Sequence, residues 1–300
     1  MHSYPETARA VIAQMAAEAE ADPARAMAFQ GAPGANSHIA AMQFAPDALA
    51  MPCMSFADAM DAVRDCRADR AIIPIENSQH GRVADIHFLL PESGLHIVAE
   101  HFLPVHHCLM AAGDGPFEMA LSHPQALGQC RHYLRAQGIS AEAYADTAGA
   151  AARVAELGDP TIAAIAPPQA AELYGLKRIA ENIEDADHNM TRFVVLARDA
   201  DMPEPDNGPV MTSFIFEVKN IPAALFMALG GFATNGVNMT KLESYIKGGS
   251  FSAAEFFADI EGMPGQPHVD RALEVLGHHS KWVRLLGSYP QSRERPAEDV

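Results

Sequence analysis

What this chain lacks narrows its role before any motif is read. It has no charge-free apolar run of about twenty residues, the length a membrane-crossing helix needs, and no basic start leading into an apolar core. A soluble, cytoplasmic protein is therefore expected. Positive charge is scarce: 21 Lys and Arg stand against 38 Asp and Glu, a formal net charge of -17. Such a surface repels polyanions, so neither nucleic acid nor an anionic membrane is an expected partner, and an anionic ligand has to be met by a local positive field. Four cysteines, Cys53, Cys66, Cys108 and Cys130, show no C-x-x-C spacing, which fits reduced core thiols better than a disulfide frame or a zinc site. The 14 histidines invite a metal hypothesis. Their densest group, His101, His106 and His107, lies in a strand-like Val/Leu/Phe stretch without a carboxylate-and-cysteine set to complete a coordination shell. No metal and no cofactor are expected.

What is present suggests about two domains in 300 residues, 49% of them hydrophobic. Residues 1–25 are Ala- and Glu-rich and read as an appended N-terminal helix without chemistry. From Met27 the pattern becomes strand, Gly turn and helix through Gly31-Ala32-Pro33-Gly34-Ala35-Asn36-Ser37, where small residues let backbone amides approach an anion. The dinucleotide fingerprint is not met, because its second glycine is missing. The strand Ala71–Ile75 empties into Glu76-Asn77-Ser78-Gln79-His80-Gly81-Arg82, polar side chains at the place where open α/β sheets bind ligands. A second βα series begins at Val105. Ser122-His123-Pro124-Gln125 opens a helix expected to run past Gln129 and Cys130, with Ser122 or His123 as its cap. Strand Glu142–Ala145 leads to Asp146-Thr147 and an Ala-rich helix, and strand Thr161–Ala166 to another. This alternation predicts a mainly parallel sheet with helices on both sides.

Residues 199–211 read as an exposed Pro- and Asp-rich linker. Beyond it Phe214, Phe216 and Val218 alternate as a half-buried strand, and Asn220 is the expected cap of a helix carrying Leu225, Leu229 and Phe232. Strands through Met239 and Ala254–Ile260, a helix through Val269 and Leu276, and a strand at Trp282–Leu286 complete the order β-α-β-β-α-β, a ferredoxin-like arrangement. The tail beyond residue 289 is polar.

Asn189-Met190-Thr191-Arg192-Phe193 stands between the acidic loop Glu184–Asp187 and an apolar strand, so a hydroxyl and a guanidinium arrive together at a strand mouth. Alone this is equally the signature of a turn-capping Thr and a surface Arg. Together with Phe29–Ser37, Pro74–Ser78 with Gly81-Arg82-Val83, Ser122–Gln125 through Cys130, and Asp146-Thr147-Ala148, it resembles prephenate dehydratase followed by a regulatory ACT domain. The resemblance covers about residues 26–288, and Thr191-Arg192-Phe193 is the family's signature tripeptide.

The resemblance implies a two-lobed, periplasmic-binding-protein-like catalytic part over 26–198, with lobe 1 at about 26–103 plus 181–198 and lobe 2 at about 104–180. An ACT domain of ferredoxin-like α+β type would span 212–288. It also implies the substrate, prephenate, a dianion whose ring becomes aromatic as carbon dioxide and hydroxide leave. The protein then needs only to hydrogen-bond the departing hydroxyl and hold the carboxylate away from water, without a metal or strong base. By family position Thr191 is the donor to the leaving group, with Asn77, Ser122 and Gln129 as further catalytic contacts. Gly34, Ala35, Ser37, Glu76, Ser78, Thr147, Arg192 and Phe193 are the implied substrate contacts. Arg192 either offsets substrate charge or braces the loop, and Glu76 is a doubtful acid beside a dianion.

L-phenylalanine is the implied effector, at Ala223, Ala224, Leu225 and Phe226 with Glu243 and Ser244, between paired subunits as a homodimer or dimer of dimers. Here Ala223 replaces the family's usual glycine, and Tyr245-Ile246 its Arg-Pro pair. Three rivals stand beside this reading: a solute-binding protein, a purely regulatory amino-acid sensor, and arogenate dehydratase, which performs the same elimination on the amino-acid form of the substrate.

Overall fold

The structure is a computed structural model describing residues 4–83, 86–204, 208–246 and 254–292. Part of the expected linker (205–207) and most of the expected tail (293–300) lie outside the described residues. The chain divides into two compact units, Met1–Arg82 with His101–Phe193, and Val83–Glu100 with Val194–Val300.

Helix α1 (Glu6–Ala21) leads to β1 (Ala26–Gln30), α2 (Asn36–Phe44), β2 (Leu49–Cys53), α3 (Phe56–Arg64), β3 (Arg70–Asn77), β4 (Gly81–Arg82), α4 (Ile86–Ser93) and β5 (His96–Pro104). Much later the chain adds β11 (Met190–Ala197) to this sheet, whose order is β2-β1-β3-β11-β5 with β4 paired to β3. In between come β6 (Cys108–Ala111), β7 (Met119–Ser122), α5 (Pro124–Gln129), α6 (Arg131–Gln137), β8 (Ser140–Ala143), α7 (Thr147–Leu157), β9 (Ile162–Ala166), α8 (Pro168–Tyr174) and β10 (Lys177–Glu181). These build a second sheet, β10-β6-β9-β7-β8. The two sheets are the cores of lobe 1 and lobe 2.

The sheets are less uniformly parallel than the alternation predicts. In lobe 2, β7 is parallel to β8 and β9, but β6 runs antiparallel to β9 and β10 antiparallel to β6. Only the strands joined by helical crossovers have to be parallel, and β6 enters straight from β5 without one. Strand β8 also begins earlier than the sequence suggests, at Ser140, and its four residues are all exposed.

The N-terminal helix is more than an appendage. Ala8, Ile12 and Ala19 are buried, and Ala8 packs in one core cluster with Ala148, Ala151, Ala170 and Tyr174 of lobe 2 and Ala32 of lobe 1. Small residues let these helices approach closely. On the same side, the Tyr174 hydroxyl donates to the Pro33 carbonyl at 2.8 Å, and a Cβ on Gly34, whose φ is +90°, would come within 3.0 Å of the Ala170 Cα.

The C-terminal domain runs β12 (Val210–Val218), α9 (Ala224–Thr234), β13 (Met239–Ile246), β14 (Ala254–Glu261), α10 (Pro267–His279) and β15 (Ser280–Pro290), with strand order β13-β14-β12-β15. That is the ferredoxin-like arrangement the alternation predicts. Phe214, Phe216, Ala258 and Ile260 pack against Ala228, Phe232, Val269, Ala272 and Leu276 of the two helices. The other face is buried too: the His87 ring of α4 lies 5.3 Å from Phe257, and Phe88 lies 5.6 Å from Tyr245. The Asn220 cap is not formed. Ala223 holds the N-cap position of α9 with φ +62°, and no side chain caps it.

Candidate active site

The apolar run of β3 is buried to Ile75, and its last two residues turn polar as the strand leaves the sheet. Asn77 stops it. Its Oδ1 accepts the amides of Gln79 and His80 at 3.0 and 3.1 Å, which closes the turn into β4. Its Nδ2 is thereby aimed at the neighbouring segment at the start of β11, donating to Asn189 Oδ1 at 2.8 Å, to the Met190 carbonyl at 3.2 Å and to Thr191 Oγ1 at 3.0 Å. Ser78 pins the same segment: its amide donates to the Met190 carbonyl, its hydroxyl donates to the His188 carbonyl, and it accepts from the Met190 amide.

Because side chains alternate along a strand, Thr191 and Arg192 of β11 point to opposite faces. Thr191 is 9% exposed and faces Asn77. Arg192, 3% exposed, reaches back to Glu76, Nη1 to Oε1 at 2.9 Å. This ion pair ties β11 to the end of β3. Phe193 is buried in the sheet, its ring part of the core rather than of a ligand surface.

Gln129 joins the cluster from lobe 2. The helix expected to run through it instead breaks at Cys130 into α5 and α6, leaving Gln129 at the end of α5. Its Oε1 lies 2.7 Å from His107 Nε2 and its Nε2 3.2 Å from His80 Nδ1. Burial holds the His107 imidazole below its ordinary pKa, outweighing the Gln129 hydrogen bond and nearby Glu184, so it is neutral. The acidic loop fastens this corner: Glu184 accepts from His106 and from the His107 amide, and the Asp185 amide donates to the Gln129 carbonyl. Burial alone would raise the Glu184 carboxyl, but those two donors hold it below its usual value.

The remaining expected contacts have partners or positions of their own. The Ser122 hydroxyl is fully buried and donates to the Ile165 carbonyl at 2.5 Å inside lobe 2, with His123 rather than Ser122 capping α5. Thr147 is the first residue of α7, whose cap is Asp146, and no hydrogen bond ties it to Asn77. The Gly34 amide, expected to be offered to a carboxylate, donates instead to His38 Nδ1 at 3.0 Å, and the Ala35 amide to the Ala32 carbonyl. Burial keeps His38 neutral, which leaves that ring nitrogen free to accept. Ser37 is buried in the first turn of α2. Asn189 and His80 stand in stretches the sequence marks, and His107 in its densest histidine group, but none of the three is an expected site residue. A buried amide needing partners on every side is the one signal that points to them.

In the C-terminal domain, Phe226 is 74% exposed, while Glu243 is engaged within its own unit. Lys241 Nζ lies 2.9 Å from Glu243 Oε1 and His87 Nε2 2.9 Å from Oε2. Burial would raise this carboxyl, yet the side-chain hydrogen bonds from His87 and Lys241, with the Lys241 charge, outweigh it and hold it at about 2. Among the described residues no group of three or more His, Cys, Asp or Glu is arranged to hold a metal ion, and no helix is long and apolar enough to cross a membrane.

Fold and site together define a two-lobed α/β protein of the periplasmic-binding-protein-like type with a further C-terminal domain, carrying a cluster of a hydroxyl and three carboxamides. The pattern of the prephenate dehydratase family matches residues 27–201, and the chain belongs to that family. It is 47% identical over 278 residues to a bifunctional N-acyl-homoserine lactone acylase/prephenate dehydratase of Komagataeibacter europaeus, covering 91% of this chain and 99% of that one. An arogenate dehydratase/prephenate dehydratase of Arabidopsis thaliana is 38% identical over 286 residues, covering 90% of this chain and 73% of the relative. A crystal structure of prephenate dehydratase from Arthrobacter aurescens in complex with L-Phe superposes with a TM-score of 0.83 at 30% identity, covering 92% and 93% of the two chains.

Proposed function

We propose that this protein converts prephenate to phenylpyruvate, with Thr191 as hydrogen-bond donor to the departing hydroxyl. One observation carries the assignment of Thr191. Asn77 Nδ2 donates to Thr191 Oγ1, and no described residue accepts the Thr191 proton, so the hydroxyl is turned with its proton outward. A donor held in that way stabilises oxygen as it becomes hydroxide. In the step itself, the electron pair of the bond between the ring and its carboxylate moves into the ring as carbon dioxide departs. The carbon–oxygen bond opposite breaks, and the oxygen leaves with its pair, taking up one proton as water. Aromatisation supplies the driving force, so positioning and exclusion of water suffice. Asn77 is the amide beside this hydroxyl, Gln129 is linked to the Asn77 turn through His80, and Ser78 and Arg192 hold the segment that carries it. The C-terminal domain is the proposed sensor of L-phenylalanine, in a paired assembly.

The test is an ultraviolet assay of phenylpyruvate from prephenate, run beside arogenate and repeated with L-phenylalanine. Turnover of prephenate that falls on adding L-phenylalanine is expected. Turnover of arogenate alone moves the substrate assignment to the amino acid, and no turnover of either overturns the reading.

A further inference from the structure

The amide of Gln129 belongs to lobe 2 and the hydroxyl of Thr191 to lobe 1, so something has to register one against the other. The geometry points to His80 as that positioning residue, a latch that fixes the Gln129 carboxamide relative to the turn holding Asn77. The inference rests on the elimination proposed above but uses a residue to which that reading gave no part.

His80 stands on the three-residue turn between β3 and β4. Its Nδ1 is 3.2 Å from Asn77 Oδ1 and 3.2 Å from Gln129 Nε2, so one ring atom faces both amides. Which contact is the hydrogen bond follows from the neighbours. Asn77 Oδ1 already accepts two backbone amides and does not need a third proton. His107, neutral and 2% exposed, has a single N–H; its Nδ1 has no partner and its Nε2 lies 2.7 Å from Gln129 Oε1, which places the proton on Nε2. Gln129 Oε1 is therefore the acceptor, and its NH2 group is turned to His80. Only a bare Nδ1 can receive it, so His80 carries its proton on Nε2. The sequence of bonds runs from His107 to Gln129 and from Gln129 to His80, whose own amide is held by Asn77, the residue that orients Thr191.

The carboxamide of Gln129 is thus clamped at both ends by imidazoles, one buried in lobe 2 and one on the lobe 1 turn. A single rotatable amide next to a substrate would otherwise present oxygen or nitrogen with little preference. With both imidazoles in place its orientation is set before substrate arrives, the kind of preorganisation that a 1 Å misplacement would undo.

The experiment compares wild type, His80→Asn, His80→Leu, Gln129→Leu and the His80→Leu/Gln129→Leu double variant in the full chain, by prephenate turnover. Asn keeps an acceptor where Nδ1 stands, and Leu does not. His80→Leu should lower kcat/KM about tenfold or more, and His80→Asn should stay within about threefold of wild type. The double variant should be no slower than the slower single variant, because the two residues act as one unit. An independent readout is the nitrogen-15 spectrum of labelled histidine without substrate. There His80 should show a bare, hydrogen-bonded Nδ1 that shifts in Gln129→Leu. Failure of wild type to turn over prephenate would defeat the proposed reaction, while this spectrum would still decide the His80 to Gln129 bond. Losses that multiply in the double variant, a His80→Asn enzyme as slow as His80→Leu, or a protonated Nδ1 would overturn the latch.

Discussion

The polar cluster around Thr191 and the segment around Ala223 and Glu243 are both motif regions, yet they are built in opposite ways. Around Thr191 every side chain takes its orientation from another polar group: Asn77 from two backbone amides, Thr191 from Asn77, Gln129 from two histidines. In the C-terminal domain the key carboxylate is spent on Lys241 and His87, and the entry to α9 depends on a backbone angle of +62° at an alanine. The first region keeps a donor proton unspent. The second uses its polar groups to hold itself together.

That contrast can be broken by experiment. If the first region is functional rather than structural, Thr191→Ala should lower kcat by about 10²–10³-fold, the range for losing one preorganised hydrogen-bond donor, with little change in thermal midpoint. A variant that instead melts early while retaining turnover would reverse the comparison. The opposite pattern is expected of Gly287→Ala in β15. A Cβ there would sit 2.0 Å from the Ile97 carbonyl oxygen, which is main chain and has no rotamer by which to move away. A loss of about 3 kcal/mol or more in denaturant unfolding should follow.

A smaller effect separates Glu243 from an ordinary ligand residue. Its carboxyl is held at about 2, below its ordinary 4.5, so it stabilises the fold above about pH 4.5 and loses that contribution as pH falls towards 2. Glu243→Gln should therefore have a lower urea midpoint than wild type at pH 7, with the gap narrowing at pH 3. A gap that is constant with pH would mean the ion pairs are inconsequential. Smallest of all, Ala223→Gly should raise stability by about 0.5–1 kcal/mol, since glycine relieves the left-handed strain but loses part of the gain to unfolded-chain entropy. An unchanged or lowered thermal midpoint would show that Ala223 is not strained.

Much of this was legible in the sequence because it depends on local periodicity. Alternation at Phe214 and Phe216 gave the strand, and helical spacing of Leu225, Leu229 and Phe232 gave the helix, so the β-α-β-β-α-β order followed. Thr191 and Asn77 stood out as polar residues at the ends of apolar runs. What stayed hidden was long-range. The reversed pairing of β6 and β10 leaves no trace in composition, since an antiparallel strand has the same alternation as a parallel one. The burial of Phe257 depends on α4, a helix more than 160 positions earlier in the chain. His107, Asn189 and His80 matter through partners 22, 112 and 49 residues distant, and a histidine between such amides reads locally as any exposed histidine.

Because α4 and the start of β5 cluster with the last hundred residues, the polypeptide visits the C-terminal unit twice. The carbonyl of Pro91 receives Arg284, and the Ile97 main chain lies against Gly287. A protease that nicks the segment at 199–204 would thus cut the covalent thread without parting the two pieces. The products should run as two bands in denaturing gels but elute together on a sizing column, and the earlier piece would carry into solution an uncovered histidine helix if ever it were freed.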